Sequence, residues 1–209
     1  MINNANTPVA PDPGATPCWS TIGRLAAGLQ PGSRGAKVTQ LQSLLGVAPD
    51  GVCGPATEHA LKISFVTATY ADARASQATT RVPAALTTAQ AILETSYGRS
   101  VPTDINSGIY SYNLFGIKSH PQQRYVTIWT HEVVKGVSER KECNFAAYDS
   151  FQQSLDAHAT FLTANPRYHT LFNSSDPHVW AEGLHQLGYA TDPEYGPKLI
   201  AIMRQWNLT

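Results

Sequence analysis

The hydrophobic positions between residues 36 and 66 repeat at the spacing of α-helices. Val38, Leu41 and Leu45 fall on one helix face, which Gly46 ends. Pro55 suits the first position of a second helix. The inner face of that helix would hold Thr57, Ala60, Leu61 and Phe65. The pattern therefore predicts two short helices, with Asp50-Gly51 as a turn between them.

A helical region is also predicted upstream of residue 98. Thr and Ala dominate residues 66–80, so a helix covering part of this stretch shows little hydrophobic periodicity. A second helix is predicted after Pro83, and Gly98 lies past its end. Its inner face would hold Leu86, Ala89 and either Ile92 or Leu93.

Residues 124–148 alternate between apolar and polar positions, as β-strands do. One face would hold Val126, Ile128 and Thr130. Because Lys135-Gly136 is a plausible turn, the segment is predicted to form a β-hairpin.

Three further helices are predicted between residues 151 and 206. Pro166 ends the first, whereas Asp176-Pro177 and Asp192-Pro193 begin the second and third, because Asp followed by Pro combines an N-cap with a first helical residue. Each predicted helix has one apolar face. The first face holds Phe151, Leu155, Ala159 and Leu162. The second holds Val179, Leu184 and Leu187, in a helix that ends at Gly188, and the third holds Tyr195, Leu199, Met203 and Trp206. The spacing of Trp129, Trp180 and Trp206 favours the core for all three.

Composition excludes several classes of protein. The 209 residues are 42% hydrophobic and 14% charged, so the chain can bury a core. Fifteen basic and fifteen acidic residues give a net charge of zero, which argues against a nucleic-acid partner. No segment approaches the roughly 20 apolar residues that cross a bilayer, so membrane insertion is not expected. Residues 1–17 contain four prolines and lack the basic and apolar regions of a secretory signal.

The cysteines and histidines do not form a metal-binding pattern. Cys18, Cys53 and Cys143 are too scattered for a CxxC site, and free thiols are favoured over a Cys18–Cys53 disulfide. His131-Glu132 is not part of an HExxH motif, because Lys135 stands where the second histidine would be. We therefore expect no metal and no cofactor, and this pattern argues against the alternative of a zinc-dependent amidase.

Glu94 is the most notable charged residue. It lies near the C-terminal end of a predicted helix beside Ala91, Ile92 and Leu93. Partial burial and the negative end of the helix dipole would both raise the pKa of its carboxyl group, as a general acid requires. On the sequence pattern alone, however, a solvent-facing glutamate remains the more ordinary interpretation.

The stretches AQAILETSYGRS and SYNLFGIK resemble the motifs of glycoside hydrolase family 73, the glucosaminidases of flagellar rod-associated proteins and autolysins. The resemblance continues through TIWTHEVVKG, CNFAAYDSFQQSLDAHATFL and LGYATDPEYGPKLIAIMRQW, and spans roughly residues 66–208 in the family's order. It implies that Glu94 is the catalytic acid, within Gln90-x-x-x-Glu94-x-x-x-Gly98. It also implies that Glu132, in Thr130-His131-Glu132, is the second carboxylate.

The resemblance also supplies candidates for substrate binding. Asn113 could bind an acetamido group, and Phe115 could pack against a sugar ring, although core packing is favoured for Phe115. Tyr97, Tyr189 and Tyr195 would line the groove. Asp192 is interpreted first as a helix N-cap. Glu139 and Glu142 are alternatives to Glu132, with a solvated surface position preferred for both; a third possibility is that no second protein carboxylate acts.

An N-terminal resemblance covers about 40 residues. The positions that carry it, which include Gly32, Gly35, Leu41-Gln42, Asp50-Gly51 and Gly54-Pro55, are similar to peptidoglycan-binding domains of the three-helix type. Cys53 departs from that family, which usually has an aromatic or large apolar residue there.

Together these features predict an α+β, mainly helical protein. We expect an irregular tail at 1–24, a small all-α peptidoglycan-binding module at 25–66 and a lysozyme-like glucosaminidase domain with a β-hairpin lobe at 67–209. The implied function is hydrolysis of β-1,4 bonds in peptidoglycan. The alternatives are a muramidase, a lytic transglycosylase and a non-catalytic wall-binding protein.

The expected site of action is the periplasm or cell wall. Without a secretory signal, delivery would depend on a phage lysis pore or on a contact-dependent secretion system, with the phage route preferred. The second route would imply an immunity protein as a partner. A monomer is expected.

Overall fold

The molecule is mainly helical with one antiparallel β-hairpin. The computed structural model describes residues 19–134 and 137–209, with the backbone alone at Ser20, 131–134 and 137–139. The elements in chain order are α1 (Trp19–Ala26), α2 (Ala36–Leu45), α3 (Pro55–Thr80), α4 (Ala84–Thr95), β1 (Tyr125–Val134), β2 (Val137–Ala146), α5 (Phe151–Ala164), a 3₁₀ helix (Pro166–Asn173), α6 (Pro177–Gln186) and α7 (Tyr195–Gln205). The predicted fold class, α+β and mainly helical, is confirmed.

Helix α1 corrects one expectation. Residues 19–24 were assigned to an irregular tail, but they form most of a helix. Trp19, Ile22 and Ala26 are buried at the i, i+3, i+7 spacing of one helix face, and burial of that face stabilises the helix. Residues 1–18, which include Cys18, lie outside the described residues.

Helix α2 follows its prediction and is joined to α3 through one buried side chain. Gly46 caps α2 in the left-handed conformation, as expected. The side chain of Gln42 donates hydrogen bonds to Asp50 Oδ1 (2.7 Å) and Thr57 Oγ1 (2.9 Å), and accepts one from the Gly51 backbone N–H (2.8 Å). Gln42 therefore holds the predicted turn against both helices.

Helix α3 crosses the expected boundary between residues 66 and 67. It runs without interruption from Pro55 to Thr80, because no glycine or second proline breaks it. Its buried face extends from Thr57, Leu61 and Phe65 into Thr69, Ala73 and Ser76. The N-terminal part of the chain thus shares one hydrophobic core with the part that follows.

The central helices surround α4. Helix α3 packs against α4 and α5, and α7 packs against α4 and α6. Every residue of α4 from Ala84 to Ile92 is buried, so only its last turn can reach a surface. None of the helices in residues 19–134 and 137–209 combines the length and hydropathy that a membrane span needs.

The two antiparallel strands of the predicted hairpin are confirmed. Strand β1 pairs antiparallel with β2 from Tyr125↔Ala146 to Val134↔Val137. Val126 is buried as expected. Trp129, which was expected in the core, is instead 45% exposed and lies under the Arg140 guanidinium, 4.4 Å from the ring centroid. Lys135-Gly136, the predicted turn, lies outside the described residues.

The C-terminal helices agree with most of their predicted stripes. All four residues expected on the inner face of α5 are buried, and Asp176 caps α6 by accepting a hydrogen bond from the His178 N–H. The prediction that Val179 lies on the inner face of α6 is wrong, because its side chain is exposed. Helix α7 begins at Tyr195, two residues later than predicted, and the 3₁₀ helix was not predicted.

Candidate active site

A groove of about 880 Å³ opens beside the last turn of α4. Its walls come from that turn, the 115–120 loop, α5, the 3₁₀ helix and the segment around the start of α7. The lining residues are Leu93, Glu94, Phe115, Gly116, Ile117, Lys118, His120, His158, Phe161, Asn165, Arg167, Tyr168, Gly188, Tyr189, Ala190, Thr191, Asp192, Tyr195 and Lys198. Four of the seven predicted site residues are therefore together in one cavity: Glu94, Phe115, Tyr189 and Tyr195.

Glu94 reaches this groove because the chain turns sharply behind it. Thr95 ends α4, and Ser96, Tyr97 and Gly98 then have φ values of 50°, 60° and 80°. Two of these residues carry side chains in the left-handed region, where non-glycine residues are uncommon. The turn directs the following chain away and leaves the Glu94 carboxylate at the mouth of the groove.

The pKa of the Glu94 carboxyl group is raised above its usual value. Water can reach the carboxylate, but the groove walls displace much of its hydration, and this burial is the main cause. A hydrogen bond from the Tyr195 hydroxyl to Glu94 Oε1 (3.1 Å) acts in the opposite direction and is the weaker effect. A carboxyl group in this environment remains protonated to a higher pH, as a proton donor needs to be.

A short chain of hydrogen bonds orients Glu94. The side chain of Gln90, which is completely buried one helical turn before Glu94, donates from Nε2 to Tyr195 Oη (3.0 Å). With that lone pair occupied, the Tyr195 hydroxyl directs its own hydrogen to Glu94. The two residues from α4 and the one from α7 thus form a fixed unit.

Aromatic rings form one side of the groove. The rings of Tyr189 and Tyr195 are stacked with centroids 5.7 Å apart, and burial raises the pKa of both phenols. Both are therefore neutral near pH 7. Flat, neutral rings with hydroxyl groups suit the C–H faces and hydroxyls of a sugar.

Phe115 and His158 form a second aromatic pair in the groove. Their rings are stacked 4.0 Å apart, and both residues are buried. Burial lowers the pKa of His158 to about 3, so the imidazole is neutral. Phe115 is thus both packed in the core, as favoured, and part of the groove lining.

Asn113 is not among the residues that line the groove. Its side chain is fully buried and donates from Nδ2 to the carbonyl oxygens of Ile117 (2.8 Å) and Ala146 (3.0 Å). Its Oδ1 accepts from the backbone N–H groups of Phe115 and Ile117. Since these bonds occupy the amide, Asn113 shapes the loop that carries Phe115 and ties it to β2.

The prediction that Tyr97 lines the groove is also not met. Tyr97 is not among the residues that line the groove. Its ring packs edge-to-face against Phe65 and Trp206, and its hydroxyl accepts a hydrogen bond from Trp206 Nε1 (3.0 Å). The left-handed turn behind Glu94 directs this half-buried side chain against the edge of the core instead.

Asp192 lines the groove but does not cap α7. Its Oδ1 accepts from the Glu194 N–H within the turn that precedes the helix, and its Oδ2 pairs with Lys198 Nζ at 2.6 Å. Asp192 balances the charge of Lys198, and Lys118 and Arg167 also bring positive charge to the groove. Such a lining is suited to a substrate that carries carboxylates.

The second predicted carboxylate lies on the hairpin. Glu132 is in β1 opposite Glu139 of β2, while Glu142 pairs with Trp129. The side chains of Glu132 and Glu139 fall outside the described part of the structure, so their distance from Glu94 stays untested. The Glu142 side chain is exposed.

Sequence reasoning missed several groove residues. Phe161, 45% exposed on α5, falls outside the predicted core stripe, and a large aromatic residue off that stripe was the available signal. The role of Gln90 could be found only from the fold, because its partner Tyr195 is 105 positions away in the chain.

Within the described residues, no group of three His, Cys, Asp or Glu side chains could hold a metal ion.

The chain is similar to known wall hydrolases over the region that builds this groove. Residues 70–208 match the glucosaminidase family, described as mannosyl-glycoprotein endo-beta-N-acetylglucosaminidase. The peptidoglycan hydrolase FlgJ of Pseudomonas aeruginosa is 38% identical over 120 residues, which cover 56% of this chain and 30% of that protein. The exo-glucosaminidase LytG of Bacillus subtilis is 33% identical over 128 residues, covering 59% of this chain and 44% of LytG. The chain therefore spans less than half the length of these two relatives.

A solved structure shows the same fold. The C-terminally truncated glycoside hydrolase domain of Salmonella typhimurium FlgJ superposes with a TM-score of 0.61 at 32% identity, covering 70% of this chain and 97% of that domain. This similarity confirms the predicted lysozyme-like fold. With the family match over residues 70–208, it shows that the chain belongs to the glucosaminidase family of glycoside hydrolases.

Proposed function

We propose that this protein hydrolyses β-1,4 glycosidic bonds of bacterial peptidoglycan, as an endo-β-N-acetylglucosaminidase that uses Glu94 as its general acid. The observation that carries this proposal is the Glu94 carboxyl group, which has a raised pKa, is oriented by Tyr195 and lies in an aromatic-walled groove of about 880 Å³. The names of the relatives support the choice of polymer, since they include peptidoglycan hydrolases and a glucosaminidase.

In the proposed reaction Glu94 protonates the leaving glycosidic oxygen as the C–O bond breaks. Positive charge then develops on the sugar ring and needs stabilisation from a second group. We assign this role to Glu132 on the hairpin, acting on water or on the developing cation. A carboxylate separation of about 6.5–9.5 Å would favour inversion and about 5–5.5 Å retention, whereas attack by the substrate's own N-acetyl group would reduce the need for Glu132.

The N-terminal helices are proposed to bind the same polymer. Gln42, Asp50 and Gly51, which belong to the resemblance to peptidoglycan-binding domains, form the hydrogen-bonded centre that joins α2 to α3. The proposed place of action is the periplasm or cell wall, reached through a phage lysis pore or a contact-dependent secretion system. The protein would act as a monomer, and the secretion route would imply an immunity protein.

The test is digestion of purified peptidoglycan by the wild type and by Glu94→Gln, with borohydride reduction and mass spectrometry of the products. Loss of a general acid lowers the rate by about 10²–10⁴-fold, so Glu94→Gln should release little product. Glu182→Gln is the matched control, since Glu182 is an exposed glutamate on α6 outside the groove. Glu132→Gln should also be slow if Glu132 has the proposed role.

The reduced ends identify the bond that is cut. Reduced N-acetylglucosamine ends support the proposal. Reduced muramic acid would indicate a muramidase, and an anhydro sugar a lytic transglycosylase, both of which retain Glu94 as the acid. If the wild type releases nothing from several wall types, the proposed hydrolysis is wrong, and a wall-binding protein is the alternative that is left.

A further inference from the structure

The groove beside Glu94 continues into a second cavity of about 530 Å³, here called the side chamber. Ile117, His120, Phe161 and Asn165 line both the groove and the chamber. A polymer bound in the groove therefore has a second space open to it at this boundary. A linear chain follows one path through a cleft, so a space that branches from it suits a branched substrate.

One face of α5 forms a wall of the chamber. Ala157, Thr160, Phe161 and Ala164 are spaced i, i+3, i+4 and i+7, which places them side by side on the helix. This face is distinct from the stripe that α5 buries in the core. Three of the four side chains are small, so the helix surface leaves room for a ligand, while the exposed Phe161 ring stands at the boundary with the groove.

The chemistry of the chamber differs from that of the groove. Its lining contains no Asp, Glu, Lys or Arg, whereas the groove contains two acidic and three basic side chains. Tyr148 and Pro166 complete a largely apolar surface. One basic residue is close by in the chain, because Arg167 follows Pro166 and lines the groove. The surroundings thus suit a ligand with small apolar side chains.

We propose that the side chamber binds the short stem peptide that peptidoglycan carries on every second sugar. The proposal rests on the proposed function and deepens it. In an alternating glycan, one of the two sugars beside the broken bond carries the lactyl peptide, so the peptide must leave the groove within one sugar ring of Glu94. The chamber provides that exit, and the alanine methyl groups of the peptide fit its small, apolar walls.

The experiment compares two substrates: intact peptidoglycan, and the same glycan from which an amidase has removed the peptides. Thr160→Trp would obstruct part of the chamber, and Thr160 is exposed, so the fold should tolerate the change. The matched control is Thr79→Trp on α3, another exposed helical threonine whose hydroxyl bonds to its own helix and which lines none of these cavities.

The expected result is a change in preference between the substrates. Thr160→Trp should lower the ratio of kcat/KM on peptide-bearing over peptide-free glycan by about tenfold, the effect of losing one well-packed contact region. Thr79→Trp should leave the ratio as in the wild type. Free stem peptide, released by the amidase, should inhibit the wild type on intact peptidoglycan and inhibit Thr160→Trp less.

Other outcomes overturn the inference. If Thr160→Trp slows both substrates equally, the chamber belongs to the glycan path. If it changes neither rate, and free peptide does not inhibit the wild type, nothing binds there. A wild type inactive on both substrates would instead overturn the proposed function, and this inference with it.

Discussion

At the scale of single residues, the state of Glu94 results from two opposed effects. Partial burial raises the pKa of the carboxyl group, and the hydrogen bond from Tyr195 lowers it by a smaller amount. The sequence predicted the first effect from the apolar neighbours of Glu94 on the same helix. It could not predict the second, because the phenol comes from a helix 101 positions later in the chain.

Tyr195→Phe should therefore shift the pH profile of turnover. A hydrogen bond donated to a carboxylate favours its ionised form, so losing it raises the pKa of Glu94 further. The acid then stays protonated to higher pH, so the fall in kcat on the basic side of the pH profile should occur at a higher pH.

The control for this change is Tyr189→Phe. Tyr189 lines the same groove and stacks on Tyr195, but it makes no hydrogen bond to Glu94. Its removal should alter KM and leave the basic limb in place. An unchanged limb in Tyr195→Phe would mean that another group sets the profile.

Asn113 and Tyr97 show why some site residues were wrongly assigned. Both are polar, and both belong to motifs next to the proposed acid, so the sequence placed them at the substrate. In the fold their polar atoms are bonded to other parts of the protein. Whether a polar side chain faces a ligand or a backbone carbonyl depends on tertiary contacts, and spacing along the chain does not contain that information.

At the scale of elements, the turn after α4 is the feature on which the groove most depends. Gly98 has φ 80°, and a Cβ atom there would be 3.0 Å from Trp19 Cζ2 and 3.1 Å from Phe65 Cδ2. The glycine is thus required by the backbone conformation and also by the close approach of two aromatic rings. Sequence predicted the helix end at this position but not the packing behind it.

Comparing Gly98→Ala with Gly28→Ala separates these two requirements. Gly28 has φ 74° and nothing within 4 Å of its added Cβ, so its substitution should cost about 1 kcal/mol from the backbone alone. Gly98→Ala should cost about 1–3 kcal/mol more, because it overpacks the core. Urea unfolding of both variants measures the difference, and equal costs would show that Trp19 and Phe65 move aside freely.

Helices with large apolar residues were predicted well, and α3 was not. The stripes of α2 and α5 contain Leu, Val and Phe, whose burial gives a clear periodic pattern. The second half of α3 buries Thr69, Ala73 and Ser76, which are small or polar and leave no such pattern. The helix continues there because its neighbours α4 and α5 cover that face.

At the scale of the whole molecule, an ion pair joins the N-terminal helices to the rest. Arg99, just after the turn that follows α4, pairs with Glu58 on α3, and both side chains are largely buried. Burial alone would raise the pKa of Glu58, but hydrogen bonds from Arg99 and from the Cys53 thiol more than offset this and leave it lowered. The stability from this lowered pKa is present above the ordinary pKa of a glutamate and is lost as the pH falls.

Arg99→Met should destabilise the whole protein, because it leaves the Glu58 carboxylate buried without its partner. The expected cost is about 3–5 kcal/mol. Arg124→Met is the control, since Arg124 pairs with Asp149 where both side chains are more than 60% exposed, and such pairs contribute about 0–1 kcal/mol. Thermal unfolding should show one transition for each variant. Similar losses of stability in the two variants would mean that the buried Arg99–Glu58 pair stabilises the fold no more than the exposed Arg124–Asp149 pair does.

The uninterrupted α3 also limits how chain length can vary during evolution. Each residue added to a helix turns everything beyond it by about 100°. One insertion near residue 67 would therefore rotate Thr69, Ala73 and Ser76 away from the face shared with Phe65. Seven added residues, almost two full turns, would nearly restore that alignment. Exchange of the N-terminal part between related proteins is thus expected to preserve helical phase at this join, whereas surface loops can lengthen by any number of residues.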